Sequence, residues 1–108
     1  MTTPITNLKD EMPVTRGAIA SRPLLDIPGS MKLVLFAMDE GQEISAHTTL
    51  FPAQVHLLDG AISVMVDNAW TDLAPGDQKS LPKGVPHGVR AIVPSHWLLV
   101  MRRSARNE

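Results

Sequence analysis

The sequence predicts an all-β fold, a barrel or a sandwich of about eight short strands. Nine prolines and seven glycines occur among 108 residues, and turn residues recur about every 8 to 12 positions, as in proteins built from short strands. No segment carries apolar residues at the spacings of three and four that mark an amphipathic helix. Several segments are instead apolar at consecutive positions, as in strands covered on both faces.

Residues 1–30 are predicted to form an N-terminal arm that precedes the barrel. Pro4, Pro13, Pro23 and Pro28 interrupt regular structure there, so we expect at most one or two short strands. A single helical turn is expected around residues 10–11. Residues 31–103 are predicted to form the barrel, and residues 104–108 a polar tail.

The barrel segment divides into strands at its turn residues. The turns are marked by residues 39–41, 59–60, 67–68 and 74–77, where Asp, Asn, Gly and Pro cluster. The strands predicted between them cover 32–38, 43–49, 55–60, 61–66, 70–73, 78–82, 87–92 and 95–101.

Charge and composition exclude several classes of function. Ten basic and eleven acidic residues are scattered without a basic run, so no nucleic-acid partner is expected. The apolar runs 33–38 and 97–101 are too short to span a membrane, and no signal-peptide pattern opens the sequence, so we expect a cytoplasmic protein with no membrane partner. There is no cysteine and no tyrosine, which leaves His, Asp, Glu, Lys or a bound metal for any chemistry.

The most specific motif is GDQKSLPKGVPHG, residues 76–88. Gly76, Pro82, Gly84 and His87 match the second motif of the cupin family, and Gly41, His47 and Gly60 match its first motif in register. The chain therefore resembles a small single-domain cupin of the RmlC-like type. The resemblance implies a cupin-type double-stranded β-helix, that is, a jelly-roll barrel.

The sequence departs from the cupin pattern at the positions of the metal ligands. Thr49 stands where the family's second histidine is expected, and Ala53 where its glutamate is expected. Only His47 and His87 carry over from the usual set of three histidines and one carboxylate. Ala91 also replaces an asparagine that is common at the end of the second motif.

Strand alternation tests whether other residues complete the site. If His47 points into the barrel, Glu43, Ser45 and Thr49 share its face. In the next strand 53, 55 and 57 would face inward, which places Gln54 and His56 outside, unless a β-bulge near Pro52 reverses the facing of that strand.

A complete site would then consist of His47, His56 and His87, with Gln54 and water as further ligands. Imidazole ligands with open positions suit Zn, Fe(II), Ni or Mn without selecting among them. The alternative for His56 is a half-buried residue packed at a dimer interface or under the arm, and the alternative for His47 and His87 is a purely structural pair.

The sequence predicts a small-molecule ligand, bound in a mostly apolar barrel interior. If the protein is an enzyme, the resemblance implies metal-dependent chemistry of the dioxygenase, isomerase or lyase type. The alternatives are a non-catalytic binding or sensing barrel without metal and a mainly structural protein. Strands that are apolar on both faces also predict a homodimer, because their outer faces need a cover.

Overall fold

The structure is a computed structural model, and it describes residues 3–103. It confirms the all-β prediction, with nine strands and one short helix in the described part of the chain. No helix within residues 3–103 has the length and hydropathy needed to cross a membrane. The elements are α1 (Leu8–Glu11), β1 (Ile19–Ile27), β2 (Met31–Met38), β3 (Glu43–His47), β4 (Ala53–Asp59), β5 (Ile62–Val66), β6 (Ala69–Leu73), β7 (Gln78–Leu81), β8 (His87–Ala91) and β9 (Ser95–Arg102).

The strands form two facing sheets, which is the jelly-roll arrangement. One sheet has the order β1-β2-β9-β4-β7 and the other the order β3-β8-β5-β6. The connections β2–β3, β4–β5, β6–β7 and β8–β9 each join the two sheets, and all four lie at one end of the barrel. As a result β2, β9, β4 and β7 lie opposite β3, β8, β5 and β6, in that order.

The arm contributes a nine-residue strand, β1, which is longer than the short strands expected from its prolines. β1 pairs with β2 along its whole length and is the edge strand of its sheet. Pro23 sits at a register shift between Pro23 and Leu25. Proline is tolerated at such a place because an edge strand and a bulge do not require every N–H group for pairing. The helical turn expected near residues 10–11 is present as α1, whose first turn is capped by the side chain of Asn7. The predicted tail, 104–108, lies outside the described residues.

The core fills the end of the barrel where the four connections lie, which we call the closed end and define by Met38, Leu57, Ile62 and Trp97. These side chains are at most 2% exposed. The ring of Trp97 stacks on Phe36 at a centroid distance of 4.1 Å, and its Nε1–H donates to Met38 Sδ at 3.1 Å. The Trp97 N–H is therefore satisfied although the ring is buried.

The arm also covers part of the outer face of the five-stranded sheet. His96, which pairs with Ala37 on this outer face, is 6% exposed. Its Nε2–H donates to the Met12 carbonyl at 2.8 Å, and the guanidinium of Arg22 pairs with Glu11 at 2.7 Å. These contacts hold the segment around α1 against the sheet, where Leu35 and Ala37 are fully buried.

The closed end makes a prediction about Gly60, which joins β4 to β5 with a φ of +92°. A Cβ atom there would lie 2.5 Å from the Pro94 carbonyl oxygen and 2.8 Å from Ser95 Cα, and it would overlap Ser95 Oγ. We expect Gly60→Ala to lower the free energy of unfolding by about 3 to 5 kcal/mol, from backbone strain and overpacking together.

Urea unfolding measures this effect, with Gly76→Ala as the matched control. Gly76 has a φ of +96° but no atom within 4 Å of the added Cβ, so it reports the backbone strain alone, about 1 to 2 kcal/mol. Equal destabilisation by the two substitutions would show that the contact with β9 is unimportant.

Candidate functional site

The end of the barrel opposite the closed end contains His47 and His87. We call this end the mouth and define it by the inward-facing residues Lys32, His47, Ala53, Val66 and His87. In the four-stranded sheet His47, His87 and Val66 are consecutive cross-strand partners. Burial decreases toward the mouth: on β4 and β5 the closed-end residues are almost fully buried, whereas Val66 is only partly buried.

A β-bulge in β3 determines which residues of that strand face the barrel. Ile44 pairs with Val89 and His47 with His87, so three steps on β3 match two steps on β8. Because the extra residue reverses the alternation, Ile44 and His47 share the inward face. The expectation that Glu43 shares the face of His47 is therefore wrong. Glu43 lies on the outer face, where its carboxylate accepts from the guanidinium of Arg90, with Nη2 at 2.8 Å from Oε1.

Gly88 makes room for this bulge, a role that was not predicted from the sequence. A Cβ atom on Gly88 would lie 2.9 Å from the carbonyl oxygen of Ile44 and 3.4 Å from the nitrogen of Ala46. Any side chain at 88 would thus press on the bulged segment that sets the facing of His47. The available signal was a glycine inside a predicted strand, which often marks a bulge or a close backbone approach.

The two histidines are in contact and present the same nitrogen. Their ring centroids are 4.5 Å apart with an interplanar angle of 66°. Nδ1 of His47 lies 2.9 Å from the Ser45 carbonyl oxygen, and Nδ1 of His87 lies 3.3 Å from the Val85 carbonyl oxygen. A carbonyl oxygen only accepts, so each Nδ1 carries the proton and each Nε2 keeps its lone pair.

The environments of the two rings differ. His87 is 5% exposed, whereas His47 lies on the exposed rim. Burial lowers the pKa of His87 below its usual value, the neighbouring His47 lowers it further, and the hydrogen bond to Val85 opposes both effects. The neutral form of His87 is thereby favoured, which is the form that can offer Nε2 as a ligand or an acceptor.

The structure does not bring Gln54 and His56 to this pair. β4 keeps its alternation after Pro52, so Ala53, Val55 and Leu57 are buried on the inward face. The register shift in this strand lies between Leu57 and Asp59, after His56. A bulge near Pro52, the condition for an inward His56, is therefore absent.

Gln54 and His56 occupy the outer face of the five-stranded sheet. His56 Nε2 lies 3.1 Å from Gln54 Oε1, and His56 is flanked by Leu98 and Gln78 on the neighbouring strands. A cleft of about 350 Å³ is lined by Gln54, Ser80 and Val100 and also by the inward-facing Ala53 and Leu81. This placement fits the alternative in which His56 packs near an interface.

The mouth fits a divalent metal in donor chemistry but supplies few ligands. Two neutral imidazoles whose Nδ1–H groups are fixed by backbone carbonyls match the usual arrangement of metal-binding histidines. Within residues 3–103, however, no group of three or more His, Asp or Glu side chains is placed to hold a metal. His47 and His87 would thus hold a metal whose other positions go to water or to a bound ligand.

Comparison with known proteins extends these observations. The family model described as "Cupin domain" matches residues 34–101. The structure is similar to SPY1581 of Streptococcus pyogenes, a protein of unknown function, at 25% identity and a TM-score of 0.89, covering 98% of this chain and 92% of that one. It is also similar to TT1209 of Thermus thermophilus, at 28% identity and a TM-score of 0.81, covering 93% and 97%. The fold is also similar to that of DSY2733, a cupin superfamily protein of Desulfitobacterium hafniense. The TM-score is 0.85 at 17% identity, covering 94% of this chain and 92% of that one, and this likeness concerns the fold alone. No functionally curated protein matches the sequence.

The environment of His87 predicts its titration in protein treated with a chelator. Since burial and His47 lower its pKa, His87 should gain its second proton below the value near 6.5 that is usual for histidine. A lowered pKa in the folded state contributes stability above the unfolded pKa, and this contribution is lost as the pH falls through the folded pKa. NMR titration of the imidazole nitrogens measures the value.

The variant His47→Gln provides the control, because it removes one of the two causes. We expect the pKa of His87 to rise toward its usual value in that variant without fully reaching it. A pKa of His87 at or above 6.5 in the unsubstituted protein would contradict the burial of this ring.

Proposed function

The chain belongs to the cupin domain family, and from this premise we propose that it binds a small organic molecule at the mouth, around the Nε2 atoms of His47 and His87. The observation that carries the proposal is the fixed orientation of the two rings. Each Nδ1 is engaged by a carbonyl of the residue two positions earlier, so both Nε2 lone pairs remain for a ligand or a metal.

The walls beside the histidines indicate an apolar body for the ligand. Phe36, Val66, Leu99 and Met101 are partly buried and pack against the core. Val66, Leu99 and Met101 lie on inward-facing positions at or near the mouth, whereas Phe36 stacks on Trp97 nearer the closed end. Such a site combines apolar walls with a few polar groups that fix the orientation of the ligand, as is common for small-molecule pockets.

We further propose that His47 and His87 hold a divalent metal, Zn, Fe, Ni or Mn, together with water or the ligand itself. A bound metal supplies Lewis acidity and can lower the pKa of a coordinated water. The chain's own part is to orient both imidazoles through Ser45 and Val85 and to bury His87, which favours the neutral form of that ring. If the protein is an enzyme, its reaction belongs to the metal-assisted classes that include dioxygenases, isomerases and lyases.

A second candidate, binding without metal, is favoured by the residues at the two departures from the cupin motif. Ala53 faces inward at the mouth, 6% exposed, where a family member would present a glutamate. The hydroxyl of Thr49 donates to the Phe51 carbonyl at 2.9 Å, which commits its proton to a local turn. In this candidate the two Nε2 atoms accept hydrogen bonds from the ligand.

Metal analysis separates the two candidates. Protein purified without a chelating tag and incubated with Fe, Mn, Ni or Zn should bind close to one metal per chain. His47→Ala and His87→Ala should each lower the affinity by at least about tenfold, since each removes one of two protein ligands. Elemental analysis after dialysis, with calorimetric titration, provides the measurement.

The matched control is His56→Phe, which removes an imidazole from the outer face. It should leave the metal content unchanged, because His56 is turned away from the mouth. Absence of metal after incubation with all four ions would rule out the metal proposal and leave the metal-free candidate. Loss of metal in His56→Phe with retention in His87→Ala would contradict the proposed site itself.

We also propose that the protein is a homodimer formed through the outer face of the five-stranded sheet. Leu25, Leu33 and Val100 form one apolar row across β1, β2 and β9. Leu25 is 43% exposed, and so is Ile27, which lies two residues further along β1 on the same face. Because β1 is also an edge strand, a second copy of the chain would cover both the apolar row and an unpaired strand edge.

A charge placed on this row should disrupt the dimer. We expect Leu25→Glu to give a monomer at micromolar concentration, because its carboxylate would be buried against an apolar partner surface. Leu50→Glu is the control, since Leu50 is 84% exposed and lies outside the sheets. Light scattering after size exclusion gives the mass, and a monomeric unsubstituted protein would contradict the proposal.

A further inference from the structure

We propose that the mouth recognises a carboxylate group on its ligand and that Lys32 is the residue that binds it. This inference rests on the proposed function, because it names the class of molecule that enters the same site. The inference rests on the charged side chains of the inward strand faces. More of them are cationic than acidic, whereas a site for a neutral ligand needs no excess of positive charge.

Lys32 belongs to the row of residues that lines the mouth. On the five-stranded sheet Lys32 pairs with Met101, Met101 with Ala53, and Ala53 with Leu81. Ala53 and Leu81 are buried and Met101 packs against the core, so the row faces inward. Because β2 lies opposite β3, the strand that carries Lys32 faces the strand that carries His47.

Lys32 is half-buried, and none of the ion pairs seen within residues 3–103 includes its ammonium group. A lysine on a wet outer face would need no partner, since water solvates its charge. On the inward face Lys32 lies between its cross-strand partners Met101 and Asp26, and Asp26 is ion-paired with Arg103, so part of the solvation of the ammonium group is lost without an ion pair in its place. An anion that enters the mouth restores it.

The other charges on the inward faces are also mainly positive. Asp26 is the one acidic side chain on the inward rows of the described strands, and it pairs with the guanidinium of Arg103. The Nε atom of Arg103 is buried without a hydrogen-bond partner among the described residues. Lys79 lies on the next inward row, paired with Val55. Arg103 balances Asp26, which leaves Lys32 and Lys79 as the cations on the inward rows of the described strands that no acidic side chain there matches.

A carboxylate fits this surplus better than a neutral or cationic group. The carbonyl contacts at Nδ1 leave both Nε2 atoms to a ligand, and an imidazole that offers a lone pair there carries no charge to balance an anion. A cation would meet the positive charges of Lys32 and Lys79, which repel it. The apolar walls accommodate the body of the molecule, so we infer an organic monocarboxylate.

Benzoate and benzamide are suitable probes, because they have nearly the same shape and differ in charge. Binding is followed by the methyl signal of Met101 and the imidazole signals of His47 and His87 in NMR, in protein kept free of metal with a chelator. We expect benzoate to bind roughly fivefold more tightly than benzamide, the upper end for a partly exposed ion pair. The preference should shrink as sodium chloride is added.

Lys32→Met should weaken benzoate roughly fivefold and leave benzamide unchanged, while Lys32→Arg should retain the preference. Binding of benzamide shows that the mouth is intact in the variant. The control Lys9→Met makes the same change in net charge at an exposed residue of α1 and should alter neither affinity.

The outcomes distinguish this inference from the proposed function. Equal binding of both probes, or a preference that survives Lys32→Met, would overturn the role of Lys32 and leave a binding mouth in place. If neither probe shifts the NMR signals of Met101, His47 and His87, the proposed function is overturned together with this inference.

Discussion

The alternation of side chains along eight strands around one core is the constraint on which the barrel depends. Four of the connections between the sheets lie at the closed end, where Trp97, Phe36 and Met38 pack together. Once these side chains are buried, they determine which residues of each strand point into the barrel. A slip of one residue would turn a whole row of apolar side chains outward. The core therefore decides which side chains reach the mouth.

The bulge in β3 changes the facing of that strand just before the mouth. It allows Ile44 to join the core and His47 to join His87, which strict alternation would forbid. Its cost is small because Gly88, on the adjacent strand, has no side chain to oppose it. The pairing of the two histidines is thus a product of three backbone features, namely the bulge, the glycine and the register of β3 with β8.

The inward and outer faces of the five-stranded sheet have different roles. Its inward face closes the core and brings Lys32 to the mouth, while its outer face carries an apolar row that the arm covers only in part. His56 belongs to this outer face, beside Leu98. The His56 imidazole, a candidate third ligand from the sequence, therefore lies away from the mouth, where His47 and His87 are in contact.

The sequence by itself determined the all-β class, the cupin-type jelly roll and the positions of most turns, because the spacing of Gly, Pro and apolar residues reflects local backbone preferences. It also identified His47 and His87 as the pair at the mouth, through the two motifs. The tertiary structure alone decided the facing of Glu43 and His56, the length of β1 and the role of Gly88. A bulge changes facing through hydrogen bonds to a strand more than forty residues away, and the local sequence does not encode which strand that is.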